Sequence, residues 1–64
     1  MSSVFGIMTV QRVEIDKEGI VLHCYDAEYK DWYKVHSNKI LPIDTKLYWE
    51  FDCRTSKMSF AVIQ

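Results

Sequence analysis

The sequence predicts an all-β fold, a small antiparallel barrel of five short strands in one domain spanning residues 1–64. Three observations point there. No window of a dozen residues carries the apolar i, i+3, i+4, i+7 spacing of an amphipathic helix. Short runs rich in β-branched and aromatic residues alternate instead with polar turns. Aromatic residues also make up 14% of the 64-residue chain, enough large side chains for the dense core that a domain near the lower size limit requires.

The first run, VFGIMTVQRVEI over residues 4–15, is rich in β-branched residues, and Gly6 within it predicts a bulge or a sharp bend. DKEG follows as a hairpin turn, with Gly19 free to take a positive φ. The second run, IVLHCY over 20–25, sets Ile20, Leu22 and Cys24 toward the core and Val21, His23 and Tyr25 away from it. DAEYKD reads as a polar turn, in which Asp26 and Glu28 are expected to be solvated, ordinary acids. In the third run, WYKVHS over 32–37, Tyr33 and Val35 alternate with Trp32, Lys34 and His36.

Residues 38–46 are the least regular stretch. Pro42 stops strand pairing there, Ile40 and Ile43 are expected to tuck under the barrel, and a short helical turn is allowed. LYWEFDC is the clearest strand: Leu47, Trp49, Phe51 and Cys53 alternate with Tyr48, Glu50 and Asp52. RTSK turns the chain into the last run, MSFAVIQ. Closing the sheet removes exposed edges, which favours a barrel for so apolar a chain. The long connection between the third and fourth strands favours an OB-type Greek-key barrel over the runner-up, an SH3-like barrel.

The strand order and turns are similar to those of a cold-shock domain, a minimal OB-fold binder of single-stranded nucleic acid. The corresponding pieces are TVQRVEIDKEG, IVLHCYDAEYKD, VHSNKI and LYWEFDCRTSKMSFAVI, which together cover nearly the whole chain. His36 matches the family's histidine. Where the family carries a Lys-Gly-Phe-Gly-Phe-type stretch, this chain has EGIVLHC. Lys34 and Ser37 stand where aromatics are expected, and Arg12 or a neighbour replaces a tryptophan. The resemblance implies single-stranded nucleic acid stacked on aromatics of the second and third strands; the outward residues of the first three strands form a common face in such a barrel.

In such a barrel Arg12, His23, Tyr25, Trp32, Lys34 and His36 share that face, bordered from loops by Tyr29, Lys30 and Lys39. Trp32, Tyr25 and His36 would stack on bases, while Arg12, Lys34 and Lys39 would neutralise phosphates. Single-stranded DNA or RNA is one expected partner. Trp, Tyr and Arg also anchor protein interfaces, so a protein bound by the same face or by a free sheet edge is the alternative, as a monomer or a homodimer. The net charge of −1 exerts no global pull on nucleic acid or membrane. It divides unevenly, at −3 over residues 1–28 and +2 over residues 29–64.

Catalytic and metal chemistry find little support. Cys24 and His23 are neighbours on a strand and so point to opposite faces. His23 and His36 lack a third ligand, and no Gly-rich phosphate loop occurs. No enzyme activity, cofactor or metal is expected. The chain opens without a basic, apolar leader, and no apolar run is long enough to span a membrane. Cys24 and Cys53 are therefore expected as reduced, buried thiols in a cytoplasmic protein.

Overall fold

A computed structural model describes residues 3–63. It contains five antiparallel strands: β1 (Ser3–Asp16), β2 (Gly19–Asp26), β3 (Asp31–Ser37), β4 (Lys46–Asp52) and β5 (Lys57–Val62). Their order in the sheet is β3-β2-β1-β4-β5. β1 is the spine. Its first half, Ser3–Thr9, pairs with β4, and its second half, Thr9–Asp16, pairs with β2. This is the strand order of an OB-like barrel, with the sheet curled into half of one.

The expected closure is absent. β3 and β5 make no contact, so the sheet keeps two edges. Both strands run in the same sense, so a closing pair would have to be parallel, the slightly weaker arrangement per residue.

Aspartates end three of the strands and start their turns. The Asp16 carboxylate accepts the backbone N–H groups of Glu18 and Gly19 at 2.8 and 3.1 Å. Gly19, at φ 130°, takes the positive φ expected of it. Asp26 Oδ1 accepts from the N–H groups of Glu28 and Tyr29. Asp52 accepts from the Arg54 N–H, and its carbonyl takes the Ser56 N–H at 2.8 Å. Such side-chain bonds mimic a backbone turn and fix each hairpin locally.

The inner face follows the predicted alternation. Met8, Val10, Leu22, Cys24, Val35, Leu47 and Trp49 form the buried core, with Val13, Ile20, Tyr33, Leu41, Phe51 and Met58 packed against it. The bulge lies at Gln11, not at Gly6: the β1–β2 register shifts between Val10 and Arg12. One extra residue there reverses the side-chain parity. Val10 and Val13 therefore both face inward, and Thr9 and Arg12 both face outward.

Gly6 serves another purpose. It pairs in regular register with Trp49, and a Cβ on it would lie 2.8 Å from both Asp26 Oδ2 and Trp49 Nε1. Those two atoms form a buried hydrogen bond, the indole N–H donating to the carboxylate at 2.7 Å. Asp26 is 0% exposed, which corrects the expectation of a solvated turn acid. Its three donors replace the water it has lost.

Two smaller expectations also fail. Ile40 and Ile43 are exposed, because the open sheet offers no barrel end to cover, and Leu41 alone of that loop packs on the core. The loop forms turns without a helix and is tied to the bulge: the Asp44 N–H donates to the Val10 carbonyl, and the Val10 N–H to the Thr45 carbonyl. Cys53 is exposed, since β4 ends one residue earlier; Cys24 is buried, and both thiols are free. Gln64, expected in the last strand, lies outside the described residues.

Candidate functional site

The register across β1, β2 and β3 sets the outer face in rows. Tyr25 pairs with Trp32, His23 with Lys34 and Val21 with His36. Across the other edge of β2, Thr9 pairs with Tyr25, Arg12 with His23 and Glu14 with Val21. Arg12, His23, Tyr25, Trp32, Lys34 and His36 therefore share one face. The Gln11 bulge makes this possible, since without it Arg12 would point inward. Thr9 also pairs with Lys46 of β4, which extends the Trp32–Tyr25 row by one cation that the sequence reading missed. Finding it requires the β1–β4 register, which no local pattern reveals.

Trp32 is 64% exposed, and its ring lies 4.9 Å from that of Tyr25 in a tilted stack. Trp32 thus offers an apolar ledge in water, backed by the half-buried Tyr25. Beside it, Glu14 Oε1 lies 2.9 Å from His23 Nε2 and 3.7 Å from Arg12 Nη2. His23 Nε2 also lies 3.3 Å from Arg12 Nη2, so the imidazole donates to Glu14 or accepts from Arg12 according to its tautomer. Arg12 and His23 thus share a carboxylate, while Lys34 and Lys46 are exposed and take part in no ion pair among the described residues.

The three loop residues do not gather at the ledge. Tyr29 turns to the inner side, where its ring meets Trp49 edge-on at 5.6 Å. With Val4, Tyr33, Trp49, Phe51 and Met58 it lines an apolar groove of about 420 Å³. Burial, and then the nearby charges of Asp31, Asp26 and Tyr29, push the Tyr33 phenol above its ordinary pKa. Lys30 is exposed in the β2–β3 turn with φ 58°. Lys39 borders a second inner groove, of about 500 Å³, between the edges of β3 and β5.

A further apolar cluster lies on the outer face of β1 and β4. Phe5, Ile7 and Tyr48 are exposed there, with the Phe5 and Tyr48 rings 6.1 Å apart. Sequence alternation alone placed no weight on it, because Phe5 and Ile7 precede the bulge and their partners on β4 are distant in the chain.

No group of three potential metal ligands occurs among the described residues. No helix among them is long and apolar enough to cross a membrane. Comparison with protein-family models, curated proteins and solved structures finds no match to the chain. The likeness to the cold-shock domain therefore rests on strand order and the quoted segments, and what is shown is a small five-stranded antiparallel half-barrel.

Proposed function

We propose that this chain is a non-catalytic binding module for single-stranded nucleic acid, working through the outer face of β1–β3. The observation that carries the reading is the exposed Trp32 packed against the half-buried Tyr25, flanked by Lys34 in the next row and Lys46 in its own. Bases stack on such rings for about 1–3 kcal/mol each, with little regard to sequence. Lys34 and Lys46, exposed on that face, would meet phosphates. Glu14 holds Arg12 and His23 in a local ion cluster and reduces the face's positive charge, so the binding should be moderate and should prefer low salt.

The test is titration of fluorescently labelled single-stranded DNA and RNA at low salt, following tryptophan emission. Stacking on Trp32 should quench it. About two to three phosphate contacts would give a log–log salt slope of about −1.4 to −2.1. Trp32→Ala should weaken binding roughly 5- to 150-fold, the loss of one stacked base. Absence of binding in the high micromolar range overturns the reading.

The exposed Phe5, Ile7 and Tyr48 cluster favours a second reading, in which a protein partner covers the outer face of β1 and β4. Such a partner would stay bound at moderate salt and after nuclease treatment, and Phe5→Ala with Ile7→Ala would release it while leaving oligonucleotide binding intact.

A further inference from the structure

The open side of the half-barrel leaves β5 with a free edge, and the two edge strands differ in how that edge is protected. β3 carries Asp31, Lys34 and His36 within seven residues. The charges of Asp31 and Lys34 deter strand addition. β5 reads KMSFAV, with Lys57 at its start as its only charge and with no proline. The β4–β5 register runs without a shift, so no bulge blunts it either. Phe60 and Val62, and Ile63 just beyond the strand, are each 39% exposed.

The hydrogen-bond phase of β5 defines what its edge offers. The Ile63 N–H donates to the Lys46 carbonyl at 2.9 Å. Alternation along an antiparallel pair then directs the backbone groups of Ser59 and Ala61 to β4 as well. Those of Met58, Phe60 and Val62 point away from β4, toward the free edge.

We propose that two copies of this chain join along β5, antiparallel and about a two-fold axis, to continue the sheet from one molecule into the other. The pairing is centred on Phe60 opposite Phe60 of the second copy. Met58 then meets Val62, and Lys57 meets Ile63, so no charge faces a like charge. The equivalent overlap of β3 with itself would set Lys34 against Lys34, which is destabilising. Closing β5 onto β3 of its own chain would require a parallel pair, whereas the two-fold axis provides the stronger antiparallel one. Met58, Phe60 and Val62 all lie on the inner side, where they line the two grooves of about 420 and 500 Å³. The second copy brings the same three side chains alongside them, so apolar surface meets apolar surface. The outer face of β1–β3 remains free, and the proposal stands independently of any nucleic-acid binding.

Sedimentation equilibrium from low to high micromolar concentration provides the test, paired with amide hydrogen exchange of the unmodified chain. The expected result is a monomer mass that doubles with concentration. The amides of Met58, Phe60 and Val62 should gain protection in step, while those of Ser59 and Ala61 are protected throughout by β4. Phe60→Pro removes an edge-facing N–H without touching the β4 ladder and should abolish the dimer, with an unchanged circular dichroism spectrum confirming the fold. A chain that stays monomeric overturns the proposal. So does a dimer whose protection appears on β3 or on the outer face. If Phe60→Pro does not fold, the exchange pattern of the unmodified chain decides alone.

Discussion

Gly6→Ala should destabilise the domain out of proportion to one methyl group. The added Cβ would stand 2.8 Å from Asp26 Oδ2, 2.8 Å from Trp49 Nε1 and 2.9 Å from Trp49 Cε2. Ordinary contact needs roughly half an ångström more in each case, so the indole or the carboxylate must move. Neither has room: Trp49 is 4% exposed and Asp26 fully buried. Overpacking of this kind costs about 1–3 kcal/mol. Stretching the 2.7 Å indole–carboxylate bond forfeits part of a charge-assisted interaction worth about 1.5–3 kcal/mol. Together they predict a loss of about 2–4 kcal/mol, or a midpoint lowered by at least about 10 °C for a domain this small. Urea and thermal unfolding followed by tryptophan fluorescence measure it. The Trp49 indole N–H should exchange slowly in the parent chain, and in the variant its resonance should shift and exchange faster. A variant within about 0.5 kcal/mol of the parent, with that resonance unmoved, would refute the steric account of Gly6.

Deleting Gln11 should leave the chain folded, because Val10 and Arg12, already opposite the consecutive Cys24 and His23, then alternate regularly and keep their faces, and Gln11→Ala should change stability by less than about 0.5 kcal/mol; a deletion variant that fails to fold would contradict the bulge assignment. Trp32→Ala should leave the unfolding midpoint nearly unchanged, since the side chain is mostly exposed, and a loss above about 2 kcal/mol would mean that the ledge is structural. Stability should fall in alkaline solution. Burial raises the Cys24 thiol above its usual 9.0, and burial with nearby carboxylates raises the Tyr33 phenol above its usual 10.0. The folded state therefore holds both protons more tightly than the unfolded chain, and their contribution is intact below pH 9 and lost as the pH climbs through the raised values. Urea midpoints from pH 7 to 11 should decline with half-height above pH 9, and the Cys24→Ala variant should show a smaller decline.

Much of the sheet was legible because alternation is a local signal. Leu47, Trp49 and Phe51 face the core as their spacing requires, and so do Leu22, Cys24 and Val35. The shared outer face was legible for a related reason, since two short hairpins leave little choice of register between β1, β2 and β3. What escaped depends on residues far apart in the chain. Gly6 is set by Trp49 and Asp26, so its role could not be read from its neighbours in β1. Asp26 looks like a turn aspartate, as do Asp16 and Asp52, and only the indole arriving from β4 distinguishes it. The Gln11 bulge has no glycine to mark it. The open edge between β3 and β5 is a balance between two strands twenty residues apart, one of them blunted by charge. Tyr29 left the expected face because its neighbour Lys30 takes a positive φ and the aromatic inner groove offers its ring a partner.

The spine strand also has a temporal consequence. As the chain is synthesised from its N-terminus, residues 10–37 can assemble at once into their local hairpins. The stretch Ser3–Thr9 must wait for a partner that emerges some forty residues later, at Lys46–Asp52. Until then half of β1 hangs unpaired, with Phe5 and Ile7 open to any passing strand. The interval before β4 appears is the moment at which a nascent chain of this protein is most exposed to misassembly.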